Sequence, residues 1–222
     1  MLTPERFFDL SSFFHRSVFL DQKPIWESLN HLKNYLETLK LGKIDCKIPE
    51  GVYLVNPNLI SIGPDTVVEP GAYIEGPAVI GNGCQIRHSA YIRGNVIAGD
   101  RCIIGHSSEI KHSILLNDAK APHFNYVGDS ILGNFVNLGA GVICANFRLD
   151  HREVIVEIGN EQFKTGTNKF GAIIGDGSQI GCNSVTNPGV LLRKKTYSRA
   201  CTSIQKSNLR TDNHVQTTFP TR

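Results

Sequence analysis

Residues 60–99 read ISIGPDTVVEPGAYIEGPAVIGNGCQIRHSAYIRGNVIAG. Counting in sixes from Ile62 gives Val68, Ile74, Ile80, Ile86, Ile92 and Ala98. The series runs on through Ile104, Ile110 and Leu116, and all ten members are aliphatic. A column two residues earlier (Ile60, Thr66, Ala72, Ala78, Cys84, Ala90, Val96, Cys102, Ser108 and Ile114) holds mostly small side chains. Neither the two-residue period of a half-buried strand nor the roughly 3.6-residue period of a helix produces this spacing. A hexapeptide repeat does, and it is a signature of the parallel β-helix. Short strands coil round a prism, one aliphatic side chain points inward per face, and each coil stacks on the last.

The ladder breaks after Leu116, resumes at Leu132 and Leu138, and breaks again through 148–169. It then resumes at Ile174, Ile180, Leu192 and Ile204, with Thr186 and Ser198 as weak rungs. Both breaks are expected to be insertions, and loops on a rigid scaffold are where sites tend to sit. In the second, EVIVEIGNEQFKTG (153–166) alternates Val154, Val156 and Ile158, turns at Gly159-Asn160 and predicts a β-hairpin.

The ends differ in character. Thr3-Pro4-Glu5 predicts a helix start. From Pro24 to Leu41, Trp26, Leu29, Leu32, Leu36 and Leu39 fall at helical spacing before Gly42. The expected organisation is a helical N-terminal segment (1–45) of two amphipathic helices whose apolar face covers the open end of the coil or contacts a neighbour, a β-helix (46–204) and a flexible polar tail (205–222). The class is mainly β.

Composition narrows the function. Formal charge is +3, without a basic stripe, so nucleic acid is not an expected partner. The start MLTPERFFDL has no signal-peptide pattern, and no apolar run reaches the ~18–20 residues of a membrane helix, so a cytoplasmic protein without membrane contact is expected. Six cysteines form no C-x-x-C pair; Cys84 and Cys102 fall in the small-residue column and read as core. Of the eight histidines, most lie on polar, turn-like segments. No metal is assigned, although a three-histidine zinc site, as in hexapeptide carbonic anhydrases, is an alternative.

PHFNYVGD (Pro122–Asp129) lies in the first break and sets His123 three residues before Tyr126. Arg93 and Lys111 are 18 residues apart, one full coil, and so project from the same corner at successive heights. Lys169 ends the second break. Three cations and a histidine suit a phosphorylated substrate, because Arg and Lys hold phosphate oxygens by charge-assisted hydrogen bonds.

Residues 90–147 and 168–181 resemble the left-handed β-helix acetyltransferase domain of bifunctional N-acetylglucosamine-1-phosphate uridylyltransferase. They are more similar still to related bacterial and archaeal sugar-phosphate acetyltransferases. The carriers are APHFNYVGDSILG (121–133) and NFVNLGAGVICANF (134–147). The resemblance implies a left-handed coil, a homotrimer, and acetyl-CoA-dependent N-acetylation of an amino-sugar 1-phosphate, chiefly glucosamine 1-phosphate. That reaction belongs to UDP-N-acetylglucosamine and cell-envelope synthesis. It implies His123 as general base; Arg93, Lys111, Tyr126, Asn137 and Lys169 as substrate contacts; and Ala140, Asn146 and Cys182 at the acetyl-CoA site. Departures are Phe147, where the family commonly has tyrosine, and Cys182, where the uridylyltransferase has serine. The coil after Pro188 aligns poorly, and Arg193, Lys194 and Lys195 are alternative contacts for the CoA phosphates. Residues 1–45 hold no Gly-rich nucleotide loop, so uridylyl transfer is not expected from this chain. Competing readings are a non-catalytic hexapeptide scaffold, another hexapeptide acyltransferase such as one of lipid A synthesis, and a zinc hydro-lyase.

Overall fold

The computed structural model describes residues 2–205 and 207. The chain is mainly β and winds as a left-handed parallel β-helix of about eight turns. Three parallel sheets form the sides of the prism. The first face contains Ile60–Ile62, Ala78–Ile80, Val96–Ala98 and four later strands; the second runs from Val67–Val68 to Gln179–Ile180; the third runs from Tyr53–Val55 to Ser203–Ile204. Most corners are turned by a residue in the left-handed region, among them Asp65, Gly71, Gly83, Ser89, Asn95, Arg101 and Ser107, while the corner at Gly76-Pro77 carries a cis peptide. Short polar side chains and glycine tolerate that conformation best and fill many of these corners, although Arg101, Phe124, Phe135 and Lys195 adopt it as well.

The inward column is the hexapeptide ladder, with Ile74, Ile86, Ile92, Ile104 and Ile110 fully buried. Full burial of each such side chain is worth roughly 1.5–3 kcal/mol. After Ile110 the inward residue is Leu115, not Leu116, and the series continues through Ala121, Val127, Leu132, Leu138 and Cys144. Leu116 points out of the prism into a second cluster.

The first break is therefore not an insertion. Two coils are each one residue short, at the corners after Ile110 and Val127, and the left-handed residues move in step from Ser107 to His112 and from Phe124 to Asp129. Buried serines close both tight corners: Ser113 Oγ donates to the Lys111 carbonyl and accepts from Ser130 N–H, and Ser130 Oγ donates to the Gly128 carbonyl and accepts from Ala172 N–H. PHFNYVGD is thus regular coil, with strands Lys120–His123 and Tyr126–Gly128.

The second break is an insertion. Its hairpin pairs Ile155–Ile158 with Glu161–Lys164 in antiparallel register around Gly159-Asn160.

The N-terminal segment departs from expectation twice. It contains one α-helix, α1 (Glu27–Glu37), and two short 3-10 turns, Pro4–Arg6 and Arg16–Val18. It covers a side of the prism, not an end: Phe7, Phe13, Ile25, Trp26 and Leu32 pack on the outward residues of the first face, such as Ile97, Ile114, Ile131 and Ile173. Polar side chains pin both edges of this strap. Asn117 Nδ2 donates to the Ser12 carbonyl (3.1 Å), Asn134 Nδ2 to the Asp9 carbonyl (2.8 Å), and His112 Nε2 lies 3.0 Å from the Leu29 carbonyl. The hairpin joins the same cluster through Val156, Phe163 and Trp26. The proposed tail, but for Gln205 and Ser207, falls outside the described residues. Among the described residues no helix is long and apolar enough to cross a membrane.

Candidate active site on the third face

The third face carries Tyr126 and the cations Arg93 and Lys111. Ile92 pairs with Ile110 and Ile110 with Val127, so Arg93 and Lys111 stand on adjacent coils at one edge, with Gly128 next in the row. Their shared phase is as the spacing predicts. Each cation already holds a carboxylate. Arg93 Nη1 lies 2.6 Å from Glu109 Oε1, on a partly exposed pair, and the guanidinium sits 5.6 Å from the centre of the Tyr91 ring. Lys111 Nζ lies 3.1 Å from Asp129 Oδ2, and this carboxylate is buried.

Asp129 also accepts a short hydrogen bond from Asn146 Nδ2, and Tyr126 Oη donates to Asn146 Oδ1 (3.4 Å). Burial raises the Tyr126 phenol above its usual range, and the nearby charges of Asp129 and Glu109 raise it further. The phenol can lie across the row only because residue 128 is glycine: a Cβ there would meet Tyr126 Oη and Asn146 Nδ2. Lys169 is brought to the same edge. It shares a cavity of about 60 Å³ with Asp129, His112, Asn30 and Trp26, so α1 forms one wall beside the site.

His123 stands at the opposite edge, on the corner between the second and third faces. It is exposed, and its ring makes no hydrogen bond among the described residues. Its backbone is held twice: its N–H donates to Asn125 Oδ1 (3.1 Å) and its carbonyl accepts from Gly141 N–H (2.9 Å). The same corner carries Ala140 one coil on and Cys182 the next, linked by Asn183 N–H to the Ala140 carbonyl (2.8 Å). The Ala140 N–H has no partner among the described residues. Asn137 is not on this face; it projects from the second face, paired with Lys120 and Gln179. The third face is three residues wide at Tyr126–Gly128, so about 7 Å of strand separates the two edges.

Sequence reasoning missed Glu109, Asp129, Gly128 and Asn125. Asp129 and Asn125 lie inside PHFNYVGD, and a carboxylate one coil after a lysine is a legible signal. The buried thiols have no access to this face: Cys102 and Cys144 are fully enclosed, and burial pushes Cys144 up to about 11. Among the described residues no three His, Cys, Asp or Glu side chains are placed to hold a metal.

The model of the GMPPB C-terminal domain matches residues 74–161. A bifunctional sugar-1-phosphate nucleotidylyltransferase/acetyltransferase of Sulfurisphaera tokodaii is 41% identical over 76 residues, covering 34% of this chain and 19% of that protein. The bifunctional protein GlmU of Methanococcus vannielii is 37% identical over 129 residues, covering 58% and 25%. GlmU of a Synechococcus species is 31% identical over 147 residues, covering 66% and 25%. The matches thus span a quarter or less of the length of these curated relatives. Among solved structures, the N-acyltransferase AntD of Bacillus cereus, crystallised with dTDP and coenzyme A, aligns over 74% of this chain and 73% of its own at 16% identity and a TM-score of 0.26. By its repeat, its coil and these sequence matches, the chain is a hexapeptide-repeat β-helix protein similar to sugar-phosphate acetyltransferases of the GlmU type.

Proposed function

We propose that the chain is an acetyl-CoA-dependent N-acetyltransferase acting on an amino-sugar 1-phosphate, with glucosamine 1-phosphate as the leading substrate. The observation that carries this reading is the division of the third face: stacked cations at one edge, an unpartnered imidazole and an unpartnered N–H at the other. Arg93, Lys111 and Lys169 hold the phosphate. The exposed Arg93–Glu109 pair is worth only ~0–1 kcal/mol, so a phosphate displaces Glu109 readily. Asp129 fixes Lys111 and Asn146 in place. Tyr126 flanks the sugar, and Asn137, on the second face, meets it from a neighbouring copy. His123 takes a proton from the amine, which attacks the thioester carbonyl. The Ala140 N–H receives the developing oxyanion. The CoA thiolate then leaves and is protonated, with Asn146 and Cys182 beside the cofactor.

A convex prism face cannot enclose a substrate. A second wall is needed, and a homotrimer whose neighbouring prisms face each other supplies it. Light scattering is expected to give three copies; a monomer at assay concentration would remove the wall and the site with it.

The test is mass-spectrometric detection of N-acetylated sugar phosphate from acetyl-CoA and glucosamine 1-phosphate, since six cysteines confound a thiol dye. Lys111→Met is expected to raise the KM for the sugar phosphate by about 10–100-fold, the cost of one hydrogen bond to a charged group. An unchanged KM would place the phosphate elsewhere. The scaffold reading draws on one observation, that both cations already hold carboxylates, and it expects no product.

A further inference from the structure

We infer that Asn125 is a positioning residue that sets the base and the oxyanion donor together; the inference rests on the acetyltransferase reading. Asn125 occupies the small inward column of the third-face corner. Its counterparts on other described coils are Val52, Ala72, Ala90, Ser108, Val142, Ser184 and Thr202, none of them an amide, whereas Asn125 is buried. An amide there is the exception, and a buried amide is costly unless its groups are paired. Its pairings differ from those of the serines. Ser108 and Ser184 use their hydroxyls to accept from a backbone N–H of the next coil, Asn125 and Thr202 respectively, at 3.1 Å.

Asn125 instead reaches both elements of the proposed chemistry. Its Oδ1 accepts from His123 N–H at 3.1 Å, and its Nδ2 donates to the Gly139 carbonyl at 2.8 Å. The Gly139 carbonyl and the Ala140 N–H belong to one planar peptide unit and point in opposite directions. Holding the carbonyl inward therefore aims the Ala140 N–H outward, at the corner where His123 stands. The donated hydrogen bond also polarises that peptide and strengthens its N–H as a donor. Without Asn125 the peptide keeps only the longer bond from Val142 N–H (3.3 Å).

The experiment uses the full chain with Asn125→Ala and Asn125→Ser, both of which have precedents at this position in the same prism. Both are expected to assemble as the wild type does. Turnover is expected to fall about 10–100-fold, below the ~10²–10³ of a removed oxyanion donor because the peptide remains present. KM for both substrates is expected to stay within threefold. The Asn125→Ala/His123→Ala pair is expected to lose far less than the product of the single losses. A structural role alone predicts additive losses or a raised KM. Wild-type turnover in Asn125→Ala, or fully additive losses, would overturn the inference. Hydrogen exchange gives a readout independent of activity: the His123 N–H is expected to exchange at least tenfold faster in Asn125→Ala, and unchanged protection also overturns it. If wild type forms no product while that exchange still accelerates, the acetyltransferase reading fails and the clamp stands as structure only.

Discussion

Replacing His123 with alanine is expected to lower turnover by about 10²–10⁴-fold, the usual contribution of a general base, and to leave the coil intact. The ring is exposed and makes no hydrogen bond among the described residues, so truncation removes no core contact. The two bonds that seat the residue use its backbone N–H and carbonyl, which alanine retains. KM for the sugar phosphate is expected to stay within a few-fold, because the proposed phosphate contacts Arg93 and Lys111 lie at the other edge of the face. A loss confined to turnover marks an interaction made only in the transition state. Turnover equal to wild type would remove the assignment and leave the amine to lose its proton to solvent.

The architecture was legible because its signal is redundant. Ten aliphatic residues in phase admit one period, and the left-handed corners repeat the same count. What misled was counting rigidly in sixes. The two short coils shift the phase by one at Leu115 and again at Leu132, and a count that allows no shift turns a shortened coil into an apparent insertion. The Ile114-Leu115-Leu116 run hides the shift, because every choice of rung is aliphatic.

The course of the N-terminal segment was written in the strands rather than in the segment. Third-face strands read Tyr-Ile-Glu, Tyr-Ile-Arg and Glu-Ile-Lys, one apolar residue between two that meet water. First-face strands read Ala-Val-Ile, Val-Ile-Ala and Ala-Ile-Ile, the unbroken apolar runs of strands buried on both sides. Helical spacing in 24–41 gave the apolar stripe of α1 but could not say what it met. Phe7, Phe13 and Phe19 bury themselves with little regular structure around them, so periodicity missed that part. Site residues named by motif fell on one face or its corners, except Asn137. Asp129 was missed because its meeting with Lys111 depends on register that the short corner after Ile110 shifts to 17 residues, whereas Glu109 meets Arg93 diagonally, 16 residues on between unshifted coils, a spacing outside the six-residue count.

Register also fixes where a side chain is forbidden. Gly105 lies opposite Pro122 on the neighbouring second-face strand, between the Ile104–Ala121 and His106–His123 pairs. A Cβ at 105 would fall on the Pro122 backbone itself, on its carbonyl oxygen, carbonyl carbon and Cα. No rotamer relieves such a clash; the two strands must part. Gly105→Ala is therefore expected to cost at least about 3 kcal/mol, the upper end for overpacking, and to lower Tm by roughly 6–12 °C in a chain of this size. Because each coil contacts only its neighbours, the damage falls at the junction that carries His123. Gly128→Ala is the matched control. There the added methyl meets only side-chain atoms of Tyr126 and Asn146, which can swing away. Its Tm is expected to stay within about 3 °C of wild type, a cost near 1 kcal/mol, while substrate affinity falls as the phenol and amide leave the face. Equal melting of the two variants would mean that the close strand approach at Gly105 is not a feature of the folded protein.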